Sequence, residues 1–200
     1  MNGPSQRGTL FVEDAEVLSQ QAFAGDQHLM RLGSPECARH ARPGQFVHLT
    51  CDPSLPLRRP ISLMRVDARA GWIEILFKSV GVGTRLLAQR RPGDIVSSIG
   101  PIGSPFQSHH KLPRPLLIGG GVGMPPMVFL ADALRREPAA KPLVILGSEV
   151  PFPFQARPSQ ILVPGLPPAV IAAMPLLDDW GVPSRLASLQ GYAGCLQGYV

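Results

Sequence analysis

Cysteine is scarce in this chain: three in 200 residues, Cys37, Cys51 and Cys195. No close pair supports a zinc or redox motif, and a four-thiolate iron–sulfur set cannot be assembled from three. Cys37 and Cys51 read as ordinary thiols, in keeping with a reducing, cytoplasmic setting. Aromatic residues are also few, eight Phe, two Trp and two Tyr. They do not gather on a basic face, which argues against a stacking surface for single-stranded nucleic acid. Charge is sparse at 16%, and its excess of +5 is spread along the chain. There are 12 basic against 9 acidic residues up to Ser108 and 7 against 5 from His109 onward, so there is no basic arm or acidic tail. The uncharged run from Pro115 to Ala131 holds four glycines and three prolines. It reads as strand, loop and helix start rather than a membrane span. The first 15 residues include Glu13 and Asp14 and lack the apolar core of a secretion signal.

Glycine and proline are plentiful instead, 21 and 23 residues, above average usage and suited to many turns and short strands. Candidate strands are Leu10 to Gln20, His28 to Gly33, Gln45 to Thr50, Pro60 to Asp67, Trp72 to Ser79 and Asp94 to Ile99. In the fifth, Ile73, Ile75 and Phe77 alternate with Glu74 and Lys78, the period of a strand with one buried face. Arg42-Pro43-Gly44 and Ala70-Gly71 mark turns. Six such strands with one helical insertion, Thr84 to Arg91, predict a small antiparallel barrel.

Phe106 to Pro115, with His109 and His110, reads as a linker, and composition changes after it. Leu116 to Ile118 is a short apolar strand. Met127, Val128, Leu130, Ala131 and Leu134 recur at helical spacing, with Pro125 and Pro126 suiting a first turn. Leu143 to Gly147 is a second apolar strand. Strand, helix, strand is a parallel βαβ unit. Pro168 to Trp180 is a candidate second helix and Ser184 to Leu189 a third or fourth strand, with Asp178-Asp179 as a solvated turn. A parallel nucleotide-binding sheet usually has five or six strands, so the distal unit is expected to be incomplete.

Two constellations carry chemistry. In Arg59-Pro60-Ile61-Ser62, an arginine on a barrel strand can pair bidentately with phosphate, and a serine hydroxyl nearby can meet a heteroaromatic nitrogen. Some twenty residues on, Gly81-Val82-Gly83-Thr84 opens a short helix whose free amides and dipole favour an anion. The second is Gly119-Gly120-Gly121-Val122-Gly123-Met124-Pro125-Pro126, between an apolar strand and an amphipathic helix, where glycine permits close backbone approach to a ligand. Met124 falls where G-x-G-x-x-G requires its third glycine. Glu149, past the second apolar strand, is a candidate for a ribose hydroxyl.

In this order the motifs resemble the ferredoxin–NADP reductase superfamily, and within it the electron-transfer subunits of bacterial dihydroorotate dehydrogenase, from about Thr9 to Val200. The points of resemblance are Arg59 to Ser62, Lys78 to Leu87, Gly100-Pro101-Ile102-Gly103 closing the barrel, and Gly119 to Pro126. The resemblance implies an FAD-binding barrel over residues 1–108 and an NAD-binding α/β unit over 109–200. It implies that Arg59 contacts the flavin phosphates, that Ser62 lies by the isoalloxazine ring with Pro60 and Ile61 beside it, and that Lys78, Gly81, Val82, Gly83 and Thr84 wrap the pyrophosphate. Gly119, Gly120, Gly121, Gly123 and Pro126 would receive NAD(H).

The implied function is electron transfer between NAD(H) and a dihydroorotate dehydrogenase catalytic subunit, or another redox partner, in pyrimidine biosynthesis, with a dimer or hetero-oligomer as the assembly. Two departures accompany it. The cysteine-rich [2Fe–2S] segment of those subunits has no counterpart before Val200, nor has their Cys-Gly-Pro-like strand end, since Cys195 lies in Gly194-Cys195-Leu196. Another NAD(P)H–flavin reductase or diaphorase component, and a flavin-binding interaction module without NADH activity, are the alternatives.

Overall fold

The computed structural model describes residues 9–107 and 113–200. His109, His110 and the expected boundary at 108 lie outside the described residues. Six strands close an antiparallel barrel: β1 (Phe11–Phe23), β2 (Gln27–Gly33), β3 (Phe46–Leu49), β4 (Arg59–Asp67), β5 (Trp72–Lys78) and β6 (Ile95–Ile102), in the order β1-β2-β5-β4-β3-β6. Alternate residues fill the interior, among them Val17, Met30, Leu32, Val47, Leu49, Leu63, Ile73 and Ile75, all without solvent exposure.

Three parallel strands follow, β7 (Leu116–Gly120), β8 (Leu143–Gly147) and β11 (Ser184–Ala187), in the order β11-β8-β7. Helix α3 (Met124–Leu134) connects β7 to β8 and packs against both its own sheet and β4 of the barrel. Its Val128, Ala131 and Leu134 share an apolar cluster with Met64 and Leu76, which stand on the outer face of β4 and β5. The expectation of one buried face on β5 is therefore corrected. Both faces are covered, and Glu74 is 4% exposed because the partly exposed Arg31 (2.8 Å) and Arg65 (3.2 Å) pair with it and lie over it.

Several local expectations also change. Helix α2 is Val82–Leu87, starting two residues before the expected Thr84 and ending before Arg91. A further helix, α1 (Pro35–His40), has its first turn capped from a distant strand: the Glu13 carboxylate accepts the Glu36 and Cys37 N–H groups, each at 2.9 Å. Of the candidate helix Pro168 to Trp180 only α4 (Pro175–Asp179) is helical. The chain before it pairs in a two-stranded hairpin, β9 (Arg157–Pro158) with β10 (Ala172–Ala173). Asp178 and Asp179 close α4 with Asp179 exposed, as expected of a helix-end turn, yet both carboxylates are engaged. Asp178 accepts the Ser159 hydroxyl at 2.6 Å, and Asp179 pairs with Arg157. The buried Arg185 completes this anchoring by donating to the Ile161 and Val170 carbonyls at 2.8 and 2.9 Å. The distal sheet has three strands, at the lower end of the expectation.

The thiols follow the packing. Cys37 and Cys51 are buried, and Cys195 is partly so. Burial, with the Glu13 carboxylate nearby, pushes the Cys37 thiol up to about 12. Burial likewise raises Cys51 and Cys195. A thiol reagent applied to the native protein at mildly alkaline pH is expected to modify Cys195 at most, and all three thiols after denaturation. Rapid native labelling of Cys37 would contradict this packing.

Candidate functional site

The β4–β5 hairpin places its two chemistry-bearing segments side by side. β4 begins at Arg59 and β5 ends at Lys78, so antiparallel pairing brings Pro60 to Ser62 to the same barrel end as Leu76 to Lys78. The chain leaving β5 enters α2. Its N-terminal residue Gly81 is tied to the first turn by Thr84, whose Oγ1 accepts the Gly81 N–H at 3.1 Å and donates to the Gly81 carbonyl at 3.2 Å.

Arg59 lies directly against that turn. A Cβ placed on Gly83 would stand 2.8 Å from the Arg59 Nε and 3.1 Å from its Cζ, so glycine is what admits the guanidinium here. Arg59 is half-buried and donates one guanidinium nitrogen to the Leu57 carbonyl at 2.7 Å. Pro60, Ile61, Ser62, Phe77, Lys78 and Thr84, with Val122 from the distal unit, line a cavity of about 280 Å³. Four segments separated in sequence thus meet in one place. Val80, Val82 and Leu57 remain exposed beside it, apolar surface of the kind that a flat heteroaromatic ligand covers. His28 stacks on Phe77 with ring centroids 5.3 Å apart. Burial lowers its pKa from 6.5, partly opposed by Asp26, and favours the neutral ring.

The glycine loop builds the second site. β7 ends at Gly120, Gly121 to Gly123 form one 3₁₀ turn, and α3 starts at Met124 with Pro125 and Pro126 in its first turn. Gly121 has φ +52°, which a glycine adopts without penalty. At Gly119 the reason for glycine is contact, since a Cβ there would lie 2.7 Å from the Gly123 carbonyl oxygen. Gly120, Gly121 and Val122 line a crevice of about 760 Å³ together with Gly147, Ser148, Glu149, Gln190 and Lys78. It lies at the carboxyl ends of β7, β8 and β11, where parallel sheets bind ligands. Gly119, Gly123 and Pro126 do not line this crevice; they shape the turn that does.

Sequence reasoning missed Ser148 and Gln190. Neither stands in a recognisable motif, and only the parallel pairing of β7, β8 and β11 gathers them. Lys78 lines both cavities and forms no ion pair among the described residues. Tyr199 and Val200 also enter the crevice, with Val200 against Gly147 and Gly120. Among the described residues no group of three His, Cys, Asp or Glu side chains could hold a metal ion. No helix of the described residues is long and apolar enough to cross a membrane.

A closed antiparallel barrel carrying an arginine and a glycine turn at one end, joined to a parallel sheet with a glycine loop, is the ferredoxin reductase-like fold. Solved structures bear this out. The chain superposes on an NADH-dependent reduced ferredoxin–NADP oxidoreductase with a TM-score of 0.72 at 22% identity, covering 92% of this chain and 60% of that one. It superposes on the ferredoxin reductase of carbazole 1,9a-dioxygenase with a TM-score of 0.67 at 20% identity, covering 94% and 54%.

In sequence the chain is similar to the electron transfer subunit of dihydroorotate dehydrogenase B (NAD(+)). It is 41% identical to that of Desulforamulus reducens over 129 residues, 62% of this chain and 48% of the relative. It is 38% identical to that of Geobacillus kaustophilus over 141 residues, 68% and 54%. The chain spans about half the length of the curated relatives it matches. No protein-family model matches it.

Proposed function

We propose that this chain is the FAD-binding part of an electron-transfer subunit, passing electrons between NAD(H) and a dihydroorotate dehydrogenase catalytic subunit in the cytoplasm. The observation that carries the reading is the 280 Å³ cavity shared by Pro60, Ile61, Ser62, Lys78 and Thr84; Arg59 and Gly83, which touch each other, do not line it but are the chain neighbours of Pro60 and Thr84. The donor set suits a flavin dinucleotide: one arginine fork and backbone amides for phosphate, and a serine with apolar neighbours for a ring. The division of labour follows the two units, residues 1–108 for FAD and 109–200 for NAD(H).

Each residue has a role in this reading. Arg59 and the amides of Gly81, Val82, Gly83 and Thr84 hold the FAD phosphates. Pro60, Ile61 and Ser62 bound the ring, with the Ser62 hydroxyl the one polar group that touches it. Lys78, between the two cavities, neutralises phosphate from either side. Gly120 and Gly121 let the nicotinamide dinucleotide approach the sheet, Gly119, Gly123 and Pro126 fix the turn, and Glu149 meets a ribose hydroxyl. Val122 and Val80 keep water from the junction. When bound, flavin supplies the redox chemistry, and the chain supplies orientation and charge. Three cysteines do not make a four-thiolate [2Fe–2S] ligand set within these 200 residues.

One observation favours a second reading, a flavin-binding module without NADH activity. Tyr199 and Val200 already stand in the crevice that NAD(H) would enter. Both readings require flavin. Incubation with FAD followed by gel filtration is expected to give a yellow protein with near-stoichiometric flavin. A colourless eluate would remove the basis of both readings.

A further inference from the structure

The chain's two tryptophans line one bowl at the far end of the β4–β5 hairpin. Trp72 opens β5 and Lys78 closes it, so this end lies about 20 Å along the strand from the flavin-side cavity. Here arginines and tryptophans alternate. The Arg31 guanidinium stands 4.0 Å from the Trp72 ring, Arg65 stands 5.4 Å from Trp72 and 5.8 Å from Trp180, and Arg135 stands 4.7 Å from Trp180. The barrel hairpin and the end of α3 thereby enclose a bowl of about 440 Å³.

The charges in this bowl are not balanced. Its lining holds Arg65, Arg69, Arg135 and Arg136 against Asp67 and Asp132, four positive and two negative groups. Asp132 takes Arg135 and Arg136, at 2.7 and 2.6 Å. Asp67 is turned to the hairpin backbone, where it accepts the Arg69 and Ala70 N–H groups. Arg65 spends one nitrogen on Glu74, and the Arg69 guanidinium has no side-chain partner among the described residues. A clamp serving only to join two units would pair these groups off; here donors and volume are left over.

We infer that the bowl is a second ligand site, for a small anion bearing phosphate groups. Its volume falls in the range of about 300–1,000 Å³ typical of small-molecule sites. Guanidinium forks match phosphate bidentately. Arg69 stands on the barrel hairpin and Arg136 just past the end of α3, so one bound anion bridges the two units. This site is distinct from the flavin reading and does not depend on it.

The test uses the chain's own reporters, because both tryptophans line the bowl. Inorganic pyrophosphate is titrated into the full chain while tryptophan emission is followed, with chloride at matched ionic strength as control. The expected result is a saturable change with half-saturation below about 1 mM, absent with chloride. It weakens by at least about tenfold in the double variant Arg69→Ser with Arg136→Ser, whose side chains are exposed, and persists in Arg59→Ala. No saturable change overturns the inference, as does a response that chloride reproduces or that survives in the double variant. Loss of the response in Arg59→Ala would move binding to the flavin end and also overturn it. Tighter binding of a short polyglutamate peptide than of pyrophosphate would make the surface a protein dock and overturn the small-anion assignment.

Discussion

Arg59→Ala is expected to lose its flavin on gel filtration while melting close to the unsubstituted protein. The guanidinium is half-buried, packs on Gly83 and bonds the Leu57 carbonyl, so its removal leaves no buried charge behind. What it removes is a charge-assisted fork at the turn proposed to take phosphate. Hydrogen bonds to charged groups contribute about 1.5–3 kcal/mol each, which corresponds to a dissociation constant weaker by roughly 10- to 150-fold. Arg59→Lys keeps the charge without the fork and should fall between the two. Flavin fluorescence titration measures all three, and equal affinity across them would remove Arg59 from the site.

Gly119→Ala should have the largest effect on the distal unit. The added Cβ would stand 2.7 Å from a backbone oxygen, that of Gly123, and 2.8 Å from the Met127 side chain. The Met127 atom is Cγ, close to the α3 backbone, and the Gly123 carbonyl belongs to the turn itself, so neither yields cheaply. Relief therefore requires the Gly121 to Gly123 turn to move off α3, at about 1–3 kcal/mol typical of overpacking. The expected outcome is a lower melting temperature together with NADH affinity reduced at least about tenfold at constant flavin content. Gly147→Ala is the contrast. The atoms nearest its Cβ all belong to the Val200 side chain and none to backbone, so relief does not require the glycine turn to move and stability should fall less. Similar losses in both variants would contradict the distinction between a clash with loop backbone and a clash with a side chain.

The barrel was legible because its strands obey a period of two and its turns carry glycine or proline. All six candidate strands fall on β1 to β6, with ends shifted by up to three residues. Helix α1 was not legible, since six residues led by Pro35 carry no periodic signal and the group that caps it is Glu13, on another strand. Glu74 was misread for a related reason. Alternation assigns it to solvent, yet Arg31 and Arg65 pair with it and lie over it. Beyond Val150 the prolines hide a structure held by side chains rather than periodicity, with Arg185, Asp178 and Asp179 each bonding across sequence. The motif residues Arg59, Ser62, Lys78 and Thr84 stood out in sequence, but their convergence depends on hairpin register, which only the fold supplies.

The central claim is that this chain holds FAD where NADH can reduce it. The direct measurement is an anaerobic titration of the FAD-loaded, gel-filtered chain with NADH, followed by the loss of the flavin's visible absorbance. Stoichiometric bleaching is expected, retained in Arg69→Ser and requiring excess NADH in Gly119→Ala. A yellow protein that dithionite bleaches and NADH does not would contradict it, leaving the barrel as a flavin-binding module whose neighbouring crevice takes no nicotinamide.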